Sequence, residues 1–300
     1  MTKQLDVLSY GTIGMDVILR VPHWPRPDVS THTSAPQEHL GGKATNVAAH
    51  LATWGLRVAV SGTVIGLDAI GLRLLERLKH FPKLQTDFLE TRADVASMHC
   101  VILVNPAGER AIIGINADNH PRTTPTDSMI RSARVLTLDL YGGEERALAA
   151  RMAHGAGIPV IVGDLRRADH PTLPFTSIAI ASAAELRGEY PGMDLADFGQ
   201  TVLRRGPSGV VITDGPDSAL IIEPDGTATL RPPRVTVADT TGAGDAFRAG
   251  LVYGAVKGMS LIDCAHYGIA AGSFAVGQEG AASHPPGLDE LQALADRVAG

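Results

Sequence analysis

The 300-residue chain is poor in the residues that build the most familiar sites. It has two cysteines, Cys100 and Cys264, far apart and without metal-ligand spacing. No disulfide framework or thiolate zinc site is expected, and both read as small thiols of a reducing cytoplasm. The 11 histidines are scattered, with no H-E-x-x-H or paired spacing, so each reads as structural or solvated rather than metal-bound. No run of about 18 apolar residues occurs, and no membrane span is expected. The opening MTKQLDVLSYG enters a strand pattern at once, leaving no room for a signal peptide and pointing to the cytoplasm. The formal net charge of −6 offers no attraction to nucleic acid or anionic lipid. G-x-x-x-x-G-K-[ST] is missing, which excludes a P-loop. YGTIGMD supplies only Gly11 and Gly14, at the wrong spacing for G-x-G-x-x-G.

What the chain does have is 44% hydrophobic residues and 33 glycines, which suit a folded protein with many turns. The length allows two average domains or one large α/β domain. Short apolar runs predict strands over 5–11, 57–62, 134–139, 158–163, 178–181 and 209–213, with helices between them at 43–55 and 68–80. From 244 the pattern is almost wholly helical: 244–257, 260–276 and 287–298. Continuous apolar strands alternating with helices imply a mainly parallel sheet covered on both sides, a three-layer α/β/α sandwich.

Two stretches break the rhythm. Residues 16–40 hold Pro22, Pro25, Pro27 and Pro36 and no good helix, and 97–116 reads as two strands around Asn105-Pro106-Ala107-Gly108. They either pair into a small sheet that acts as a lid or decorate an edge of the main sheet, and the pattern alone favours neither. One domain over 1–300 with such a lid is the simplest partition. An apolar outer face on the lid would favour a homodimer through it.

The stretch ADTTGAGDAFRAG, 238–250, holds an anion site and a base side by side. Gly242, Ala243 and Gly244 open an apolar helix, whose first N–H groups are unpaired and sit at its positive end. Asp245 is either an ordinary acid complementing the helix dipole or a base beside an anion hole. The second role removes a proton from a hydroxyl while the hole stabilises a transferring phosphoryl group. The dipole should keep Asp245 ionised at neutral pH. GGKATN, 41–46, opens another helix: Gly41 and Gly42 permit close backbone approach, and Asn46 both donates and accepts. Asp16 reads as an acid just after the first strand, at its C-terminal end, where α/β sheets bind ligands.

These motifs resemble those of the ribokinase-like (PfkB) carbohydrate kinases. GGKATNVAAHLATWG is similar to the N-terminal signature of that family and DTTGAGDAFRAGL to its C-terminal signature. The resemblance spans nearly the whole chain and implies an ATP-dependent kinase with a β lid over its site. It gives Asp245 the role of base, Gly242, Ala243 and Gly244 that of anion hole, and Asp16, Gly42 and Asn46 that of sugar ligands, with Lys43 nearby. VVITDGPDSALI, 210–221, is similar to the family's nucleotide-binding strand and turn, which implies Thr213 and Gly215 beside ATP. Glu185 resembles the acid that organises Mg²⁺ through water. Asp239 and Thr241, with Gly280 in the loop 277–283, resemble a K⁺-type monovalent-cation site.

Two positions depart from the family pattern: Ser182 stands where an amide precedes Glu185, and Ser218 at the last glycine of the nucleotide turn. GDLRR, 163–167, resembles a segment of fructose-type members and points to a ketose-like sugar. A nucleoside kinase is the rival within the family, set back by an aromatic content of 4%, since bases are usually held by stacking. A non-catalytic sugar sensor is the rival outside it, set back by the retained Asp245.

Overall fold

Each short apolar run of the sequence becomes a strand of one sheet in the computed structural model, which describes residues 4–278 and 285–300. The chain opens with β1 (Leu5–Gly11), β2 (Gly14–Arg20) and β3 (Gln37–Gly41), then α1 (Lys43–Thr53). β4 (Val58–Gly62) and β5 (Ile65–Gly66) lead to α2 (Ala69–Leu78), followed by β6 (Leu84–Gln85) and β7 (Thr91–Arg92). A hairpin of β8 (His99–Val104) and β9 (Arg110–Ile115) precedes α3 (Asp127–Arg131), β10 (Ala133–Asp139) and α4 (Glu144–Gly155). β11 (Val160–Leu165), β12 (Ile178–Ser182), α5 (Ala183–Glu189), α6 (Leu195–Leu203) and β13 (Gly209–Asp214) continue the alternation. β14 (Ser218–Glu223), β15 (Gly226–Leu230), α7 (Ala243–Val256), α8 (Leu261–Ala275) and α9 (Leu288–Ala295) follow.

The main sheet has the order β15-β14-β13-β12-β11-β10-β1-β4-β6. From β6 to β13 all pairings are parallel, and β14 and β15 add an antiparallel edge. That edge was not anticipated as a hairpin, because its turns rest on Gly215, at φ 54°, and on the tight Asp225-Gly226 link rather than on a long apolar signal. Alternate residues of each strand enter opposite cores. Val7, Val135, Ile161 and Val211 meet α1, α7 and α8 on one face. Leu8, Leu136, Val160 and Val210 meet α4, α5 and α6 on the other. Both faces being buried explains why the strands read as continuous apolar runs.

The stretches 16–40 and 97–116 join each other rather than the main sheet. They form a separate four-stranded sheet, β3-β2-β8-β9, with β2 and β8 parallel and both outer pairs antiparallel. Between β2 and β3 the proline-rich segment has no regular structure. Gly11 ends β1, and Thr12 and Ile13 carry the chain across to β2, so the second sheet projects from the C-terminal ends of the first. Among the described residues, no helix is long and apolar enough to cross a membrane.

Candidate active site

Two helices open at that end of the sheet, each on a glycine that no other residue replaces without strain. Gly42, at φ 84°, caps α1, and a Cβ there would lie 2.6 Å from the Thr12 carbonyl oxygen. Gly242, at φ 74°, is left-handed and caps α7. A side chain on Gly41 would collide with the Asp16 carboxylate. α1 and α7 pack side by side, and this brings together residues about 200 positions apart. Asn46 Nδ2 donates to Asp245 Oδ2 at 2.8 Å, both residues being buried. Asn46 Oδ1 has no partner and is turned away from water, an acceptor available to a ligand.

Around Asp245 the charges alternate. Arg248, one turn along α7, places Nη2 3.6 Å from Asp245 Oδ1 and donates to the carbonyl oxygens of Leu138 and Lys43 at 2.9 and 3.0 Å. Lys43 Nζ pairs with Asp164 Oδ1 at 2.6 Å, and Asp164 Oδ2 lies 3.7 Å from Arg248. Asp164 is a non-glycine residue at φ 62°, in the irregular register of β11 against β12 between Val162 and Leu165. Backbone strain of that kind costs about 1–3 kcal/mol and here turns a carboxylate toward two cations.

Burial raises the Asp245 carboxyl above its ordinary value, and the Lys43 and Arg248 charges work against that rise. To the helix position expected to keep it ionised, the structure adds burial, which opposes the charge, and two neighbouring cations, which favour it. Lys43 is opposed by burial but raised overall by Asp245 and Asp164, so its ammonium stays charged.

Asp16, expected just after the first strand and at the start of the 16–40 excursion, lies within β2 of the second sheet, in a row with His39 and Cys100, rather than at the C-terminal end of β1. Its carboxylate still faces the same space. Burial, then the charges of Asp245 and Asp239, push it up to about 7. Beneath the site, Asp139 accepts from the Thr12 N–H at 2.5 Å and pairs with Arg146 at 3.2 Å, both side chains being fully buried. Burial opposes its charge, but Arg146 and Arg248 hold it down to about 2.

The residues expected at the nucleotide lie further along the same edge. Thr213 Oγ1 donates to the Ala181 carbonyl at 3.3 Å at the end of β13, and Gly215 turns the chain toward β14 with open space around it. Glu185 stands in the first turn of α5 and accepts from Arg166 at 2.8 Å. Arg166 and Lys43 both approach the ring of Tyr141, at 5.3 and 5.0 Å. Glu185, Arg166, Tyr141, Lys43, Asp164, Arg248 and Asp245 thus form one continuous polar chain.

Asp239 and Thr241 do come together, the Thr241 N–H donating to Asp239 Oδ1 at 2.8 Å. Their side-chain oxygens are engaged by Arg110, so among the described residues they do not form an open cradle for a bare cation. Gly280 lies outside the described residues. Arg248, Asp164, Arg146 and Arg110 were assigned no role from sequence. Only Arg248 carried a local signal, a single charge inside the apolar run of α7.

A family model described as pfkB family carbohydrate kinase matches residues 4–287. The chain belongs to the pfkB family of carbohydrate kinases. It is a kinase of the sugar and nucleoside type, a phosphotransferase with an alcohol group as acceptor. An ATP-dependent ribose-1-phosphate kinase of Halopiger xanaduensis is 29% identical over 294 residues, covering 93% of this chain and 94% of that one. A nucleoside kinase of Methanothermobacter thermautotrophicus is 26% identical, covering 97% and 95%. Arabidopsis thaliana ribokinase, solved with ribose and ATP, superposes with a TM-score of 0.84 at 21% identity over 97% of this chain and 98% of its own. This last likeness supports the fold.

Proposed function

We propose that this kinase transfers the γ-phosphoryl group of ATP to a hydroxyl of a small carbohydrate, ketose (fructose-like) or ribose-like, with Asp245 as general base. The observation that carries the reading is the buried Asn46–Asp245 hydrogen bond beside the left-handed Gly242 at the mouth of α7. Asp16 and the unpartnered Asn46 Oδ1 accept hydrogen bonds from sugar hydroxyls, and Gly42, packed against the backbone of Thr12 and Gly14, holds the start of α1 beside them. Asp245 takes the proton of the attacking hydroxyl. The N–H groups of Ala243, Gly244 and Asp245, in the first turn of α7, hold the oxygens of the phosphoryl group in transfer. The Lys43 and Arg248 charges favour the ionised form of the base against the burial that opposes it.

Thr213 and Gly215 line the nucleotide side. Among the described residues no cluster of carboxylates, histidines or cysteines forms a metal cage. Glu185 would be the protein acid beside a Mg²⁺ ion carried on the nucleotide phosphates. Bound there, the ion neutralises phosphate charge. The row around Asp16 holds His39, Cys100 and Gly114 and no Phe, Tyr or Trp, which favours a sugar over a nucleoside. The small sheet serves as the lid. Its edge strand β9 leaves Ile113 exposed, and we extend the reading to a cytoplasmic homodimer formed through the lid.

The test is ADP release from ATP across a panel of pentoses, hexoses, ketoses, keto-deoxy acids and nucleosides. Turnover with a pentose or ketose and not with nucleosides is the expected result. A preference for nucleosides would replace the sugar reading, and sugar binding without ADP release would replace the kinase by a sensor.

A further inference from the structure

Arg110 begins β9, and its register partners Val104 and Arg20 place it on the same face of the small sheet as Cys100 and Asp16, the face turned toward the site. Its guanidinium reaches out of that sheet to the main body. Nη1 lies 3.2 Å from Asp239 Oδ1 and also donates to the Thr241 hydroxyl, while Nη2 donates to the Thr240 hydroxyl. Three consecutive residues are therefore bound by one side chain some 130 positions away. The next residue is Gly242, whose left-handed turn aims the first N–H groups of α7. Whatever holds 239–241 also sets the shape of the anion hole.

A monovalent cation at Asp239 and Thr241 would need the same oxygens. A guanidinium supplies the same single charge, but through a planar fork of directed donors, which suits a carboxylate and two hydroxyls lying side by side. We propose that Arg110 takes the place of that cation: the lid carries the positive charge that braces residues 239–241, so the anion hole is completed only with the lid down, and turnover does not depend on K⁺. The proposal rests on the reading of Gly242–Asp245 as the phosphoryl site. Arg110 acts through residues 239–241 and is a positioning residue.

The experiment compares the full-length wild type, Arg110→Ala and Arg110→Lys in potassium chloride and in tetramethylammonium chloride at equal ionic strength. It reads kcat, sugar KM, melting temperature and amide exchange of 239–245. Wild-type kcat is expected to agree within about two-fold between the salts, with an unchanged melting temperature. Loss of hydrogen bonds to a charged group corresponds to about a ten- to hundred-fold fall in kcat for Arg110→Ala in tetramethylammonium, with little change in sugar KM. Added K⁺ or guanidinium ion should restore part of that loss, slow amide exchange at 239–245 and raise the melting temperature of this variant alone. Arg110→Lys should fall between, since a point charge cannot serve three acceptors in a row. Strong activation of the wild type by K⁺ overturns the proposal. So does an Arg110→Ala enzyme equal to wild type in both salts, or one that neither cation rescues. If no acceptor yields ADP, the phosphoryl-site reading fails instead, while exchange and melting still report whether Arg110 braces the segment.

Discussion

Replacing Asp16 by Asn should make the empty protein more stable at alkaline pH and less stable at acidic pH, while damaging sugar binding at both. Asp16 is 9% exposed, and its carboxyl is raised from the ordinary 3.8 to about 7, first by burial and then by the charges on Asp245 and Asp239. A folded-state value above the unfolded one means that the charged form opposes folding. The penalty is absent below about pH 4, grows as pH rises, and is complete above about 7. At about 1.4 kcal/mol per pH unit it reaches about 4 kcal/mol at pH 8. Asn removes this pH-dependent penalty but exchanges a carboxylate oxygen for a buried amide that must be hydrogen-bonded afresh, at a pH-independent cost of about 1–3 kcal/mol. The two stability curves should therefore cross between about pH 4.5 and 6, with Asp16→Asn ahead by about 1–3 kcal/mol at pH 8 and behind by up to about 2 kcal/mol at pH 4. Urea titrations of the ligand-free proteins at pH 4, 6 and 8 measure this directly. Hydroxyl donors from the sugar favour the carboxylate, so binding near pH 7 should also release a proton from wild type and none from the variant, visible by calorimetry in buffers of different ionisation enthalpy. Parallel stability curves would refute the argument, whatever happened to KM.

Asp245→Asn keeps the shape and the Asn46 contact but removes the base, so kcat should fall about 10²–10⁴-fold while ATP and sugar still bind; a loss of only a few-fold would return Asp245 to the role of a helix cap. Because burial raises the Asp245 carboxyl, the acid limb of kcat/KM should lie above the ordinary carboxylate range, and Lys43→Met should move it higher still. Arg146→Met strands the Asp139 charge at 0% exposure and should cost about 3–5 kcal/mol by urea denaturation, partly recovered in Asp139→Asn/Arg146→Met. With Asp139 held near 2, the stability it provides should be intact above about pH 4 and lost as pH falls through 2.

The main sheet and the helices of the second half were legible because burial on both faces writes itself as uninterrupted apolar strands and long apolar helices. The composition of GGKATN and TTGAGD showed where backbone and anion would meet, since glycine ahead of a helix has few other uses at that density. What sequence did not disclose was the pairing across distance. Nothing local in GDLRR says that Asp164 will adopt a left-handed backbone and face Lys43, and nothing in NPAGER says that Arg110 will reach Asp239. Asp16 was legible as lying just after the first strand, in the stretch that leaves the main sheet, but the short step from Gly11 to Gly14 did not show that it sits inside a strand of the second sheet.

The seam between α7 and α8 sets where this enzyme can be re-engineered. Added side-chain atoms at Gly250 would run into the Tyr267 backbone, and at Gly254 they would lie 2.9 Å from the Cys264 Cα, so the two helices are locked at backbone distance. The base therefore rides on a mount with almost no play, whereas Asp16 rides on a separate sheet joined to the body through Met15 and Leu40 and through ion pairs such as Glu38–Arg73 and Arg110–Asp239. Mutagenesis confined to β2, β8 and β9 that spares Arg110 can then exchange one acceptor for another without recalibrating the proton transfer, and a library that leaves Arg110, Gly250 and Gly254 untouched should keep a working phosphoryl site in most of its members.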